Sequence, residues 1–195
     1  MNPLDREYWE QRWQSSQTGW DVGGISTPIK EYADQLSDKH KRILIPGCGS
    51  GHEAEYLFNQ GFSNVHVLDV SPFAIKTFFE RVPEFPVDNC HLEDFFTHYG
   101  PYDLVIEQTL FCALDPYLRQ DYARHMHQLL VPGGKLAGLL FNFPLTSEGP
   151  PFGGGVEEYV KTFENYFRIR TLEEAYNSIA PRAGRELFII MERLP

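Results

Sequence analysis

Apolar positions along this chain fall into two alternating rhythms. The runs RILIP (42–46), NVHVLD (64–69), YDLVIEQ (102–108), KLAGLLF (135–141) and ELFIIMER (186–193) are apolar and β-branched over most of their length. That is the pattern of strands buried on both faces. A short run around Asn89–Leu92 and another within FRIRTLEEAY add two more. Between them lie stretches with helical spacing: HEAEYLFNQG, closed by Gly61; SPFAIKTFFERV, with Ser71 as N-cap; Leu118 to Leu130, ended by Val131-Pro132-Gly133-Gly134; and Glu157 to Phe163. Two helices precede the first strand. One runs from Asn2 and Pro3, as N-cap and first helical residue, through Trp13, and the other is PIKEYADQL, begun by Thr27 and Pro28. The alternation predicts an α/β fold. It predicts a seven-stranded, mainly parallel sheet with helices on both faces.

Composition narrows the class. A chain of 195 residues with 42% hydrophobic content is expected to form one domain, 1–195, with a sizeable core. The net charge of −10 and the lack of any Lys/Arg run argue against a nucleic-acid partner. No apolar stretch is long enough to span a bilayer, and Met1 leads straight into NPLDREYWEQRW without a signal peptide, so a cytoplasmic protein that does not engage membranes is expected. Cys48, Cys90 and Cys112 are widely spaced and read as free thiols of a reducing compartment. The seven His form no ligand pattern along the sequence, and no metal is expected. A monomer is the expected state.

The chemistry-bearing feature is RILIPGCGSG, a strand that enters Gly47, Gly49 and Gly51 and then a helix. Glycines allow close backbone approach to a ligand, and a helix N-terminus offers free N–H donors. A dinucleotide loop wants a third small residue at position 52, which here is His. The tighter G-x-G-x-G frame, with no Lys or Arg beside it, suits a nucleoside cofactor that lacks phosphates. Asp69, at the tip of the second strand, can accept from a ribose diol or simply cap the helix after Ser71. In EDFF, Asp94 and the following rings suit an adenine, or else Phe95 and Phe96 are core and Asp94 a turn residue. Glu107, Gln108 and Thr109 end the fourth strand where a ligand crevice lies, though a plain strand-end turn reads similarly.

Together these pieces resemble class I S-adenosylmethionine-dependent methyltransferases. YWEQRW with TGWDVGGISTP, PGCGSG, EQTLFCALDP (107–116) and GPPFGGG (149–155) make nearly the whole chain similar to the thiopurine S-methyltransferase superfamily. The likeness is strongest to its branch of halide and thiol methyltransferases. The resemblance implies that residues 1–40 cover the cofactor and that 41–195 form the core, a Rossmann-like seven-stranded mainly parallel sheet with helices on both faces and the last strand antiparallel. It implies that Trp9, Trp13 and Trp20 surround S-adenosylmethionine and that Gly47, Gly49 and Gly51 lie under its methionine part. Asp69 takes the ribose hydroxyls, while Leu92, Glu93 and Asp94 line the adenine pocket with Phe95 beside them. Gln108 stands near both cofactor and acceptor, where animal thiopurine enzymes carry Arg and plant halide enzymes Tyr. Trp20 and Phe152 face the acceptor.

The reaction so implied is in-line displacement at a sulfonium carbon, yielding S-adenosylhomocysteine. Placement of reactants contributes about 7–11 kcal/mol to such steps, and aromatic rings suit the cation. A thiol, thiopurine or halide needs no strong base, so no catalytic acid or base is assigned; Asp21 and Glu107 are the only acids near the expected acceptor face. Arg182 and Arg185 either meet an anionic acceptor or form surface salt bridges. Two other readings stay open: an NAD-dependent oxidoreductase, against which His52 argues, and a non-catalytic cofactor-binding protein.

Overall fold

Side chains that alternate along the central strands divide between two apolar layers. Leu44, Leu68, Val105, Leu136 and Leu140 point into one. Ile43, Ile45, Val65, Val67, Leu104, Ile106, Ala137 and Leu139 point into the other. Successive strand residues face opposite ways, so continuous apolar runs need cover on both sides. The computed structural model, which describes residues 4–195, supplies that cover.

The strands are β1 (Ile43–Pro46), β2 (Val65–Asp69), β3 (Cys90–Leu92), β4 (Tyr102–Gln108), β5 (Leu130–Phe141), β6 (Phe167–Glu174) and β7 (Glu186–Arg193). They form one sheet in the order β3-β2-β1-β4-β5-β7-β6. All pairings are parallel except those of β7, which runs antiparallel to both β5 and β6. The last strand is thus antiparallel, as the family resemblance implies. The strand order reverses between β1 and β4, and in open α/β sheets the crevice beyond the strand ends at such a point receives ligands.

Helices α2 (Thr27–Asp34), α3 (His52–Asn59) and α4 (Pro72–Arg81) carry Ile29, Ala33, Ala54, Leu57 and Phe78 into one layer. Helices α5 (Arg119–Leu129) and α6 (Val156–Phe163) carry Tyr122, Ala123, Met126, Leu129, Tyr159 and Phe163 into the other. Ser71 caps α4 as expected, its hydroxyl accepting from the Ala74 N–H at 3.1 Å.

The first helix, α1 (Arg6–Gln14), starts later than its sequence suggested. Asp5 is its N-cap, accepting from the Tyr8 N–H at 3.0 Å, and the expected start at Asn2 and Pro3 lies outside the described residues. This helix packs across α4 and buries Trp13 alone.

Gly51 joins the loop after β1 to α3 at φ +69°, and a Cβ there would run into the Phe78 ring of α4. Gly51→Ala therefore combines left-handed strain with overpacking. It should cost about 3 kcal/mol or more in urea unfolding; a loss no larger than that of an exposed Gly→Ala change would disprove the packing role.

Candidate functional site

The loop after β1 is held from below by one carboxylate. Asp69, at the end of β2, accepts from the Gly49 N–H and from the Ser71 N–H, each at 2.9 Å, one on each oxygen. Burial pushes its pKa up, against the opposing pull of the Ser71, Gly49 and Val70 N–H groups. The helix-capping reading of Asp69 is met, since its carboxylate fixes the start of α4 while anchoring the loop after β1. Gly47 and Gly49 sit at φ +63° and +53°. A Cβ on Gly47 would press on Leu110 and one on Gly49 on the Trp13 ring, each at 3.1 Å. Arg81 does reach the loop, but its guanidinium donates to the Ser50 carbonyl and pairs with Glu55. The loop therefore has no cation left over for a pyrophosphate.

The N-terminal segment closes over this loop. Trp20 packs edge-on against Trp9 and Trp13, with ring centroids 5.5 and 5.8 Å apart. Glu10 of α1 accepts from the Ser71 hydroxyl at 2.6 Å and the Phe73 N–H at 3.2 Å. Partial burial works against its ionisation, but these bonds win and hold its pKa low. Asp21 accepts from the Ser50 hydroxyl and bonds the His52 ring at 2.9 Å; these bonds outweigh desolvation and lower its pKa too. The Trp20 carbonyl accepts from Arg182 at 2.8 Å.

Beyond β4 the chain is buried and strained. Glu107 is fully buried, accepting from the Phe111 N–H at 3.0 Å and from the Tyr122 hydroxyl. Its pKa is pushed up to about 7 by burial, in spite of those donors. Gln108 Oε1 accepts from the Ser26 hydroxyl at 2.9 Å. Thr109 lies at φ +67°, a costly conformation for a β-branched residue. Gln108, Thr109, Cys112, Leu139, Leu140, Phe141 and Glu186 line a cavity of about 10 Å³. The Cys112 thiol donates to the Thr109 carbonyl at 3.2 Å, and burial holds its pKa far up, so it stands as a neutral thiol and not a nucleophile. The Phe152 N–H donates to the Cys112 carbonyl at 2.8 Å, and Arg119 anchors the same loop through the Gly153 carbonyl at 2.7 Å.

On these elements the comparisons with known proteins decide the family. The family profile of thiopurine S-methyltransferase matches residues 4–193. The chain belongs to the thiopurine S-methyltransferase family. A probable thiol methyltransferase 2 of Arabidopsis thaliana is 32% identical over 185 residues, covering 91% of this chain and 81% of that protein. A thiopurine S-methyltransferase of Vibrio campbellii is 28% identical over 180 residues, covering 83% of each. In fold, the Burkholderia thailandensis 1,6-didemethyltoxoflavin-N1-methyltransferase, solved with S-adenosylhomocysteine, superposes with a TM-score of 0.77 at 15% identity over 98% of this chain and 88% of its own. The protein is an S-adenosylmethionine-dependent methyltransferase.

Within this methyltransferase the structure brings together most, but not all, of the residues singled out from sequence. Gly47, Gly49, Asp69, Trp9, Trp13 and Trp20 share one end of the sheet. Leu92 is in register with Asp69 and exposed, as are Glu93 and Asp94; Asp94 caps the next turn, accepting from the Phe96 N–H at 2.8 Å. Phe95 departs from expectation. It is turned into the core, stacked on Tyr122 and edge-on to His125, so its ring faces the core rather than the expected adenine pocket. Gly51 likewise faces Phe78 rather than open space. Neither Trp20 nor Phe152 lines the small cavity itself. Arg182 is a second correction: it is buried and pairs with buried Glu186 at 3.4 Å, so it is not a surface salt bridge. Arg185 lies 4.6 Å over the Phe143 ring.

Sequence reasoning saw no His pattern, yet the sheet gathers one. His66 of β2 and His91 of β3 bond at 3.0 Å, and His91, Glu93 and His98 hold ligand atoms within 4.8 Å of one another. Burial, helped by Arg42 and the neighbouring imidazoles, pushes His66 down to about 4. The signal is hidden because the turn after β3, not regular spacing along one element, folds His98 back toward His91 and Glu93.

Two variants probe the β4 end. Glu107 has a folded pKa near 7 against an ordinary 4.5, so its contribution to stability is complete below about pH 4.5 and is lost as pH rises through about 7. Glu107→Gln, which keeps the acceptor for Phe111, should flatten the slope of unfolding free energy between those pH values; an unchanged slope would show the carboxyl ionised throughout. Thr109→Gly should relieve strain and raise stability by about 1 kcal/mol. Methyl transfer should fall at the same time, as the backbone holding Gln108 loosens. If activity is kept, the strain serves no positioning role.

Proposed function

We propose that this methyltransferase moves a methyl group to a small, soft nucleophile such as a thiol, halide or related anion, working as a monomer in the cytoplasm. The observation that carries the reading is the site's two-part build, a polar cradle anchored by Asp69 and a small pocket beyond β4 whose polar groups are already bonded within the protein. Glu186, the acid that lines it, is paired with Arg182 and Ser178, and Glu107 is engaged by Tyr122 and Phe111, so both serve structure rather than proton removal. Nucleophiles that need no base fit such a pocket. Relatives named for thiols, thiocyanate and thiopurines support the same choice. The three unpaired thiols suit a reducing compartment, and no helix among the described residues is long and apolar enough to cross a membrane.

The residues present fit an adenosyl cofactor. The cradle excludes side chains at Gly47 and Gly49, and its neighbouring cation is already neutralised, which suits a ligand without phosphates. In this reading Asp69 holds the ribose hydroxyls, Leu92, Glu93 and Asp94 border the adenine, and Gly47 and Gly49 lie under the methionine part. When bound, S-adenosylmethionine supplies an electrophilic methyl on a sulfonium centre. Trp9, Trp13 and Trp20 exclude water and offer ring faces to that positive charge. Gln108, with Oε1 held by Ser26, turns its amide N–H toward the acceptor, and Phe152 closes the far side through its bond to Cys112.

Calorimetry and headspace analysis test this directly. S-adenosylhomocysteine should bind the wild type, and Asp69→Asn should weaken it by about 1.5–3 kcal/mol, the scale of hydrogen bonds to a charged group. Incubation with S-adenosylmethionine and iodide, bisulfide or a small thiol should release methylated volatiles. Binding of NAD in place of S-adenosylhomocysteine would overturn the assignment. Intact binding with no product from any soft nucleophile would leave a non-catalytic binder instead.

A further inference from the structure

The imidazole cluster on the β2–β3 edge is not used by the chemistry above. His91 is the middle residue of β3, Glu93 lies just past its end, and His98 follows the turn formed by Phe95–Thr97. One ligand atom from each lies within 4.8 Å of the other two. His98 Nε2 is bonded to the Tyr102 hydroxyl at 2.6 Å, and its Nδ1 faces Glu93 Oε1 at 2.6 Å. His91 Nε2 is bonded to His66 Nδ1 at 3.0 Å, and His66 Nε2 to Asn64 Oδ1 at 2.9 Å. The outer nitrogens of both candidate ligands are therefore already oriented by partners. Metal-bound histidines show this arrangement, the far ring N–H donated to a fixed acceptor. The nitrogens left to face a metal are the two Nδ1 atoms.

We propose that His91, Glu93 and His98 form a binding site for a divalent transition metal of the zinc class, with water completing the coordination. Two imidazoles and one carboxylate are a donor set that zinc accepts, with a fourth position open. The His98 side chain is 5% exposed while that of Glu93 is 41% exposed, so the site is walled on one side and reached from solvent on the other. Entry of the metal replaces the His98 Nδ1–Glu93 Oε1 hydrogen bond, its proton passing to solvent at the exposed Glu93 side. Those two atoms then separate to about 3.3 Å, the spacing of tetrahedral ligands at bond lengths near 2 Å. The shift is under an ångström, within reach of a half-exposed carboxylate. Leu92, Glu93 and Asp94 lie in the span that the metal would staple, from the end of β3 to His98. Metal binding would thus order the loop that borders adenine, a link that rests on the cofactor reading above.

Titration of zinc into the full chain, prepared without a polyhistidine tag, tests the site itself. One saturable zinc ion per chain is expected, with affinity at least about tenfold lower in His91→Gln and in Glu93→Gln. Both changes leave the His98–Tyr102 hydrogen bond itself in place, and circular dichroism should show both variants folded. No saturable binding, or wild-type binding in both variants, would overturn the proposal. In a second arm, zinc should slow amide exchange across residues 92–98 and tighten S-adenosylhomocysteine about fivefold. Zinc binding with no effect on either would refute the staple. Failure of S-adenosylhomocysteine to bind at all would count against the cofactor reading and not against the metal site, which the first arm measures alone.

Discussion

A single buried carboxylate holds this structure's functional end in place. Asp69 divides its two oxygens between the Gly49 N–H and the Ser71 N–H, and so ties the loop after β1 to the helix after β2. Removing such a charge from water is costly, and only charge-assisted bonds from fixed N–H groups offset it. Gly47, Gly49 and Gly51 can hold positive φ angles because that anchor keeps the loop from relaxing. The same helix start receives Glu10 through the Ser71 hydroxyl, so the covering segment is referenced to the same point.

From this anchor the site grows in two unlike directions. Toward β3 the groups are exposed and polar, with Leu92, Glu93 and Asp94 at the surface. Toward β5 and β7 they are buried: Glu107 sits under Tyr122, Arg182 against Glu186, and Phe152 is clasped to Cys112. Arg182 links the halves, because it reaches the Trp20 carbonyl from the β7 side while bonding Glu186 at the wall of the small cavity. Under the proposed function, the exposed half would meet the nucleoside and the buried half the reacting groups.

Much of this was legible in the chain. Continuous apolar runs separated by helical stretches define the seven strands and their layers, because burial on both faces leaves no other pattern. Asp69 and the three glycines were readable because their spacing follows from one strand–loop–helix unit. Phe95 was misjudged, since adjacent aromatics in a tight turn point opposite ways and sequence does not say which is inward. Arg182 reads as a surface cation because it stands in a Gly- and Pro-containing stretch, whereas Glu186, four residues on, is buried and the Trp20 carbonyl is distant in sequence. The imidazole cluster is not legible in the sequence because the turn after β3, not regular spacing along one element, brings His91, Glu93 and His98 together.

The covering segment is fastened by means that differ from those of the body beneath it. Trp13 is the only buried residue of α1, and the rest of its hold comes from Glu10, Asp21 and the Trp20 carbonyl. Polar clasps are directional and let go over a fraction of an ångström, while an apolar layer yields gradually over area. The chain is thus built as two cooperative units of unequal depth, a shallow one that can exchange its partners with water and a deep one that cannot. Traffic through the site can then proceed with the sheet undisturbed, and protons or salt that weaken the clasps would be felt at the door long before they reached the core.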